Sequence, residues 1–139
     1  MIALFLGSVG VNANADNQKG KDALKSGDYA TALRELKPLA EHGDVDAQYY
    51  LAWMYVSGKG VPQDYETGIK LLKLAAENGN HYAQYDLGGL YNKGKGVKRD
   101  RKAGAKWIKL SAEQGYNWAQ LAMATIYKDG RGVIQDNIY

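Results

Sequence analysis

The stretch Ala47-Gln-Tyr-Tyr-Leu-Ala-Trp-Met-Tyr-Val-Ser-Gly-Lys-Gly-Val-Pro-Gln-Asp64 returns twice further along the chain. Its opening pair, Ala47-Gln48, recurs as Ala83-Gln84 and Ala119-Gln120, each time after 36 residues. Laid over residues 83–118, residues 47–82 agree at 17 of 36 positions, which makes the chain a tandem array of one structural unit. Tyr55, Tyr91 and Tyr127 fall in register, as do Gly58, Gly94 and Gly130, then Gly60, Gly96 and Gly132. Val61, Val97 and Val133 follow, and then Asp64, Asp100 and Asp136.

Each unit reads as two helices. Ala47 to Ser57 places apolar or small residues at 47, 51, 54, 55 and 58, a helical spacing. Gly58-Lys59-Gly60 ends it: one glycine can take the left-handed cap and the second allows a sharp turn. Val61 is expected to fill the gap between the two helices. Asp64 stands at an N-cap position, where its carboxylate can accept from free backbone N–H groups. Residues 65–78 then form the second helix, with Ile69, Leu72, Leu74, Ala75 and Ala76 supplying apolar surface and Gly79 closing it. Helices this short are not stable alone, so they must pack on each other and on the next pair.

Residues 16–46 form a variant first pair, helical over Gln18 to Ser26 and Tyr29 to His42, with Asp28 in the capping role of Asp64. Pro38 falls inside the second of these helices and removes a backbone donor there, so a kink is expected. The array is then divided into 47–82, 83–118 and an incomplete unit over 119–139. Residues 1–15 carry no charge and end in Ala13-Asn14-Ala15, small residues where a signal peptidase reads. This predicts the end of a secretory signal with cleavage after Ala15, and a periplasmic or secreted protein; without such a signal the protein is expected in the cytoplasm.

The composition narrows the chemistry. With no Cys, a disulfide scaffold, a thiolate metal site and a Cys nucleophile are excluded. The net charge is +3, yet residues 93–109 hold eight basic side chains and one acid, leaving the remainder of the chain net acidic. Part of that excess is framework: Lys70 and Lys73 recur as Lys106 and Lys109. The rest is Lys98, Arg99, Arg101 and Lys102 at the start of a second helix, where cations oppose the helix dipole. They mark a patch suited to an acidic partner or an anionic surface, or else a solvated charge run.

Ala47 to Asp64, together with Lys73-Leu-Ala-Ala-Glu-Asn-Gly79, resembles the Sel1-like repeat; the likeness covers residues 47–136, with a tetratricopeptide-like lead-in over 16–46. The resemblance implies an all-α, right-handed superhelical solenoid of antiparallel helix pairs. It also implies a non-catalytic adaptor or scaffold without a cofactor, of a kind often exported in bacteria to act in envelope or host-directed signalling. In this architecture the first helices line the concave side.

Comparison between the copies then separates framework from freedom. The positions that change along the first helix step by four, three and four residues, forming one stripe. The stripe supplies the candidate partner-binding residues: Tyr50, Trp53 and Ser57; Tyr82, Asp86 and Lys93; Trp118, Thr125 and Asp129. Exposed Trp and Tyr are common interface anchors, although packing against a neighbouring unit would also account for them. Tyr55, Tyr91 and Tyr127, which do not change, are assigned to the core.

No enzymatic constellation emerges. Gly89 to Lys95 has the outline of a phosphate-binding loop but lacks the following Ser or Thr and lies along a helix. His42 and His81 occupy different repeat positions, and Asp44-Val-Asp46 is too short for a calcium loop. No metal and no nucleic-acid partner are expected, and no transmembrane segment. The reading is therefore a binder of a peptide or protein on the concave helix face. The alternative is a self-assembling structural or regulatory subunit of an envelope complex, associating through the open end of the incomplete last unit.

Overall fold

The computed structural model describes residues 13–130, with side chains from Asn17 onward. Seven helices follow one another: α1 (Ala13–Ser26), α2 (Tyr29–Glu41), α3 (Val45–Ser57), α4 (Tyr65–Glu77), α5 (His81–Lys93), α6 (Arg101–Glu113) and α7 (Asn117–Asp129). No strand interrupts them among the described residues. The apolar segment up to Val11, together with Val133 and Asp136, lies outside the described residues; Ala13 to Ala15 form the first turn of α1. No described helix is long and apolar enough to cross a membrane.

Each of α2 to α7 has thirteen residues, about 20 Å of helix. Equal lengths let each helix lie along the next, and every helix packs on its successor in the chain. That is the quasi-one-dimensional pattern of a solenoid. The apolar residues gather into successive clusters. One joins α1, α2 and α3 around Leu36 and Met54, and the next joins α3, α4 and α5 around Leu72 and Leu87. A third links α6 and α7 through Ile108 and Met123. Leu71 touches the first two and ties them together.

The Ala-Gln mark has a physical cause. Ala47, Ala83 and Ala119 are fully buried, where any larger side chain would push two helices apart. The Gln beside each one reaches back to the last turn of the preceding helix. Gln48 Nε2 donates to the Ala40 carbonyl at 3.2 Å, Gln84 Nε2 to Ala76 at 3.0 Å and Gln120 Nε2 to Ala112 at 3.2 Å. The last carbonyls of a helix lack partners within it, so each glutamine satisfies an acceptor that packing would otherwise bury.

The starts of the helices are capped as regularly. Asp64 and Asp28 accept from Thr67 and Thr31, as expected, and Asp100 from Ala103. These bonds hold the Asp64 and Asp28 carboxyls below the usual Asp range, the Thr side-chain hydroxyls acting first. Asp44 and Asn80 cap α3 and α5 by bonds of 2.7 and 2.8 Å to Ala47 N and Ala83 N. They set the true starts of those helices two residues before the Ala-Gln pairs. At the third start the position holds Tyr116, which makes no side-chain cap.

The structure corrects two sequence-based expectations, those for Leu74 and Tyr127. Val61 packs on the cluster that joins α1, α2 and α3, and Val97 on the one that joins α3, α4 and α5. The reason is the second glycine of the loop. A Cβ on Gly60 would lie 2.7 Å from Tyr29 Cβ, so the absent side chain lets the loop fold back onto α2. Leu74 is exposed, together with its counterpart Leu110, because the buried face of the second helix runs through Ile69, Leu72, Ala75 and Ala76. α2 runs from Tyr29 to Glu41 with Pro38 inside it. Tyr55 and Tyr91 pack half-buried against the core clusters, but Tyr127 is 41% exposed, and no second helix facing α7 is present among the described residues.

The glutamine joints are not identical. Gln114 Nε2 donates to Gln84 Oε1 at 2.8 Å and to the Gly79 carbonyl at 2.9 Å, bracing the joint between α4 and α5. The equivalent residue one unit earlier is Asn78, one methylene shorter, which turns back to the Leu74 carbonyl. Gln48 Oε1 is left buried with no donor among the described residues. Asn78→Gln should therefore stabilise the fold by about 1 kcal/mol, while Gln84→Ala should cost about 1–3 kcal/mol by orphaning both its partners. Thermal denaturation of the two variants against the parent measures both, with opposite signs expected.

Candidate functional site

The first helices α3, α5 and α7 form the walls of two adjoining cavities. The first, about 430 Å³, is lined by Trp53 of α3, Tyr65 and Leu72 of α4, and Tyr85, Asp86 and Gly89 of α5, with Lys93 and Lys95 at its edge and Ile108 and Ala122 behind. The second, about 550 Å³, is lined by Asn92 and Lys93 of α5, Arg99 and Arg101, Ile108, and Ala122, Thr125 and Ile126 of α7. The two are copies of each other: Tyr65, Leu72, Asp86 and Gly89 in the first stand 36 residues before Arg101, Ile108, Ala122 and Thr125 in the second. One groove thus runs across the stack with a unit-by-unit change of lining.

Two neighbouring glycines show which positions are framework and which are open. A Cβ on Gly88 would meet Ile108 Cγ1 at 2.5 Å and the Gly104 carbonyl at 2.8 Å, so this glycine lets α5 and α6 touch. A Cβ on Gly89 would meet nothing within 4 Å. Gly89 holds the repeat position of Trp53, and its missing side chain leaves a notch in the groove floor where the preceding unit carries an indole.

The sequence-predicted residues divide among several places. Trp53, Asp86 and Lys93 come together in the first cavity, and Lys93 and Thr125 line the second with Arg99 and Arg101 of the basic patch. Lys98 and Lys102 are exposed but line neither cavity. Trp53 is 39% exposed and packs one side of its ring on Tyr29, with centroids 6.5 Å apart. Ser57 turns inward on its own helix and donates to the Trp53 carbonyl at 2.6 Å. Trp118 is 62% exposed near the start of α7, and Asp129 lies exposed at its end.

Tyr50 and Tyr82 belong instead to a ladder of rings at the helix starts. Tyr50 meets Tyr49 edge-on at 5.2 Å, Tyr49 stacks on Tyr82 at 5.6 Å, and Tyr82 meets Tyr116 at 5.2 Å. Tyr85 joins Tyr116 at 5.4 Å. Offset and edge-on rings of this kind add packing energy beyond their buried area. Asp86 lies beside the ladder and accepts from the Tyr49 hydroxyl at 3.1 Å. Burial raises the Asp86 carboxyl above its ordinary range, against the opposing pull of the Tyr49 bond. Burial, then the Asp86 charge, drives the Tyr49 phenol far upward. Burial likewise raises Tyr50 and Tyr116.

Sequence comparison missed Tyr85, Asn92 and Tyr65 as lining residues. Tyr85 recurs as Tyr49 and so reads as framework, while Tyr65 lies on a second helix outside the stripe. The signal for Asn92 was the change from Val56, an apolar residue, to a polar one at the same repeat position.

Asp86 gives a pH test. Because its folded-state pKa is raised, the folded protein holds the Asp86 proton more tightly than the unfolded chain, so this group destabilises as pH rises above the ordinary Asp range. Asp86→Asn keeps an acceptor for Tyr49 and removes the charge. The variant should match or exceed the parent in thermal stability at pH 7, and the difference should shrink as pH falls toward about 4, the ordinary Asp range, and level off below it. A larger gain at acid pH than at neutral pH would show that the carboxylate is not burdened by burial.

Comparison with known proteins agrees with this architecture. The Sel1 repeat model matches residues 45–80, 81–116 and 119–139. A solved structure of c5321, a protective antigen present in uropathogenic Escherichia coli strains displaying an SLR fold, is similar with a TM-score of 0.82 and 37% identity. That match covers 89% of this chain, which spans only 27% of the antigen chain. A Sel1 repeat protein from Oxalobacter formigenes is similar with a TM-score of 0.68 and 38% identity, over 73% of this chain and 76% of the other. No curated protein matches the sequence. With the repeat model matching most of the chain and the helix pairs stacking at the same 36-residue step, the chain belongs to the Sel1 repeat family.

Proposed function

We propose that the protein is a non-catalytic adaptor that holds a segment of another protein in the groove across α3, α5 and α7. The observation that carries this reading is the notch at Gly89. The framework positions around it are closed by packing, yet the groove floor is open and flanked by exposed Trp53. A partner side chain entering such a notch would bury apolar surface worth about 25 cal/mol per Å². A partly exposed indole beside a pocket is the usual composition of an interface anchor. Sel1 repeats form scaffolds for protein–protein contacts, and no acid–base or nucleophilic constellation among the described residues offers a competing use for the groove.

Gly89→Trp tests the reading, since it places in this unit the side chain its predecessor already carries. The substitution should leave helicity unchanged. A helix-interior glycine is less favourable than other residues by up to about 1 kcal/mol, so the thermal transition should not fall. In affinity capture from an extract of the producing cells, the parent chain should retain a polypeptide that Gly89→Trp loses, with Trp53→Ala weakening retention. Equal retention by a folded Gly89→Trp variant would place the binding surface elsewhere.

A further inference from the structure

We infer that the groove selects a segment bearing acidic side chains beside one bulky apolar residue, the apolar residue entering at Gly89 and the acids meeting the cations on the rim. The inference rests on the adaptor reading and adds the chemistry of the partner. Its ground is an imbalance of charge around one continuous surface. Lys93, Arg99 and Arg101 edge the second cavity with no carboxylate among the described lining residues. None of the three forms an ion pair with a carboxylate among the described residues, whereas Lys21, Lys70 and Lys109 on other faces each do. Arg99 is also aimed: its Nε donates to the Asn92 carbonyl at 3.2 Å, which holds the guanidinium beside the cavity wall.

The single acid of the groove does not offset these charges. Asp86 is half-buried and already accepts from Tyr49, so it belongs to the aromatic ladder more than to the rim. Local stability accounts for Lys93, which complements the dipole in the last turn of α5, but not for Arg101. Arg101 and Lys102 occupy the first turn of α6, where cations face the positive end of the helix dipole. The corresponding positions of α4 are Tyr65 and Glu66, so the repeat does not require cations there. Arg101 sits where the fold gains least from it and where a groove occupant would meet it.

Random peptides of roughly twelve residues, about 40 Å when extended, displayed on phage and selected on the full chain, provide the probe. The enriched peptides should carry Asp or Glu within a few residues of Leu, Phe or Trp. Synthesised, the strongest should bind less tightly as salt rises. Replacing its acids by Asn and Gln should weaken it about tenfold, the sum of a few exposed charge pairs. The triple variant Lys93→Glu, Arg99→Glu, Arg101→Glu should reverse the preference toward basic peptides, and Gly89→Trp or Gly89→Leu should abolish binding of either kind. Enriched peptides without acidic residues that still fail on both Gly89 variants would overturn this inference and leave the groove reading standing. Peptides indifferent to both Gly89 variants, or no enrichment at all, would overturn the two together.

Discussion

One recurring bond organises this molecule: a glutamine near the start of α3, α5 and α7, buried in the first two, donating to a last-turn carbonyl of the helix before it. The bond joins two deficits. A helix end has carbonyls that nothing in the helix can satisfy, and a repeat unit has an apolar side that nothing in the unit can cover. Placing a small alanine next to the glutamine brings the helices close enough for both to be met at one point. Burial then locks the geometry, because breaking the contact would leave a polar group in a dry place.

From that joint the rest follows in sequence. Close approach at the helix starts sets the spacing of α3, α5 and α7, and the loop glycines let each connection fold back on the preceding pair. The first helices then frame a groove together with Tyr65 and Leu72 of α4 and Arg101 and Ile108 of α6. Electrostatics plays little part in the stacking itself. The ion pairs seen are exposed and short in sequence separation or lie at the margin of the first pair, positions where such pairs add only tenths of a kcal/mol.

Most of this was legible because a repeat supplies its own comparison. The 36-residue step, the capping roles of Asp28 and Asp64 and the loop glycines can be read directly, since each serves backbone geometry that a residue type reports. The helix starts were less legible. Asp44 and Asn80 cap alike but differ in type, and Tyr116 breaks the series, so no recurring letter marked the true boundary. Leu74 reads as core by hydropathy alone and is exposed by its angle on the helix. In the site, internal variation found Trp53, Asp86, Lys93 and Thr125, all of which line the groove. It could not find Tyr85, a residue that serves packing and lining together, nor foresee that Tyr50 and Tyr82 join through Tyr49 into a ladder.

The alternation of indole and empty notch at Trp53 and Gly89 has a wider consequence. In a globular enzyme, reshaping a cleft usually disturbs the core beneath it. Here the variable rung stands apart from the joints, so a single codon change can open or close a compartment while the ladder of contacts beneath stays as it was. The lining of the groove and the architecture are thereby separable traits, and an array of this kind can change one unit's lining without passing through an unfolded ancestor.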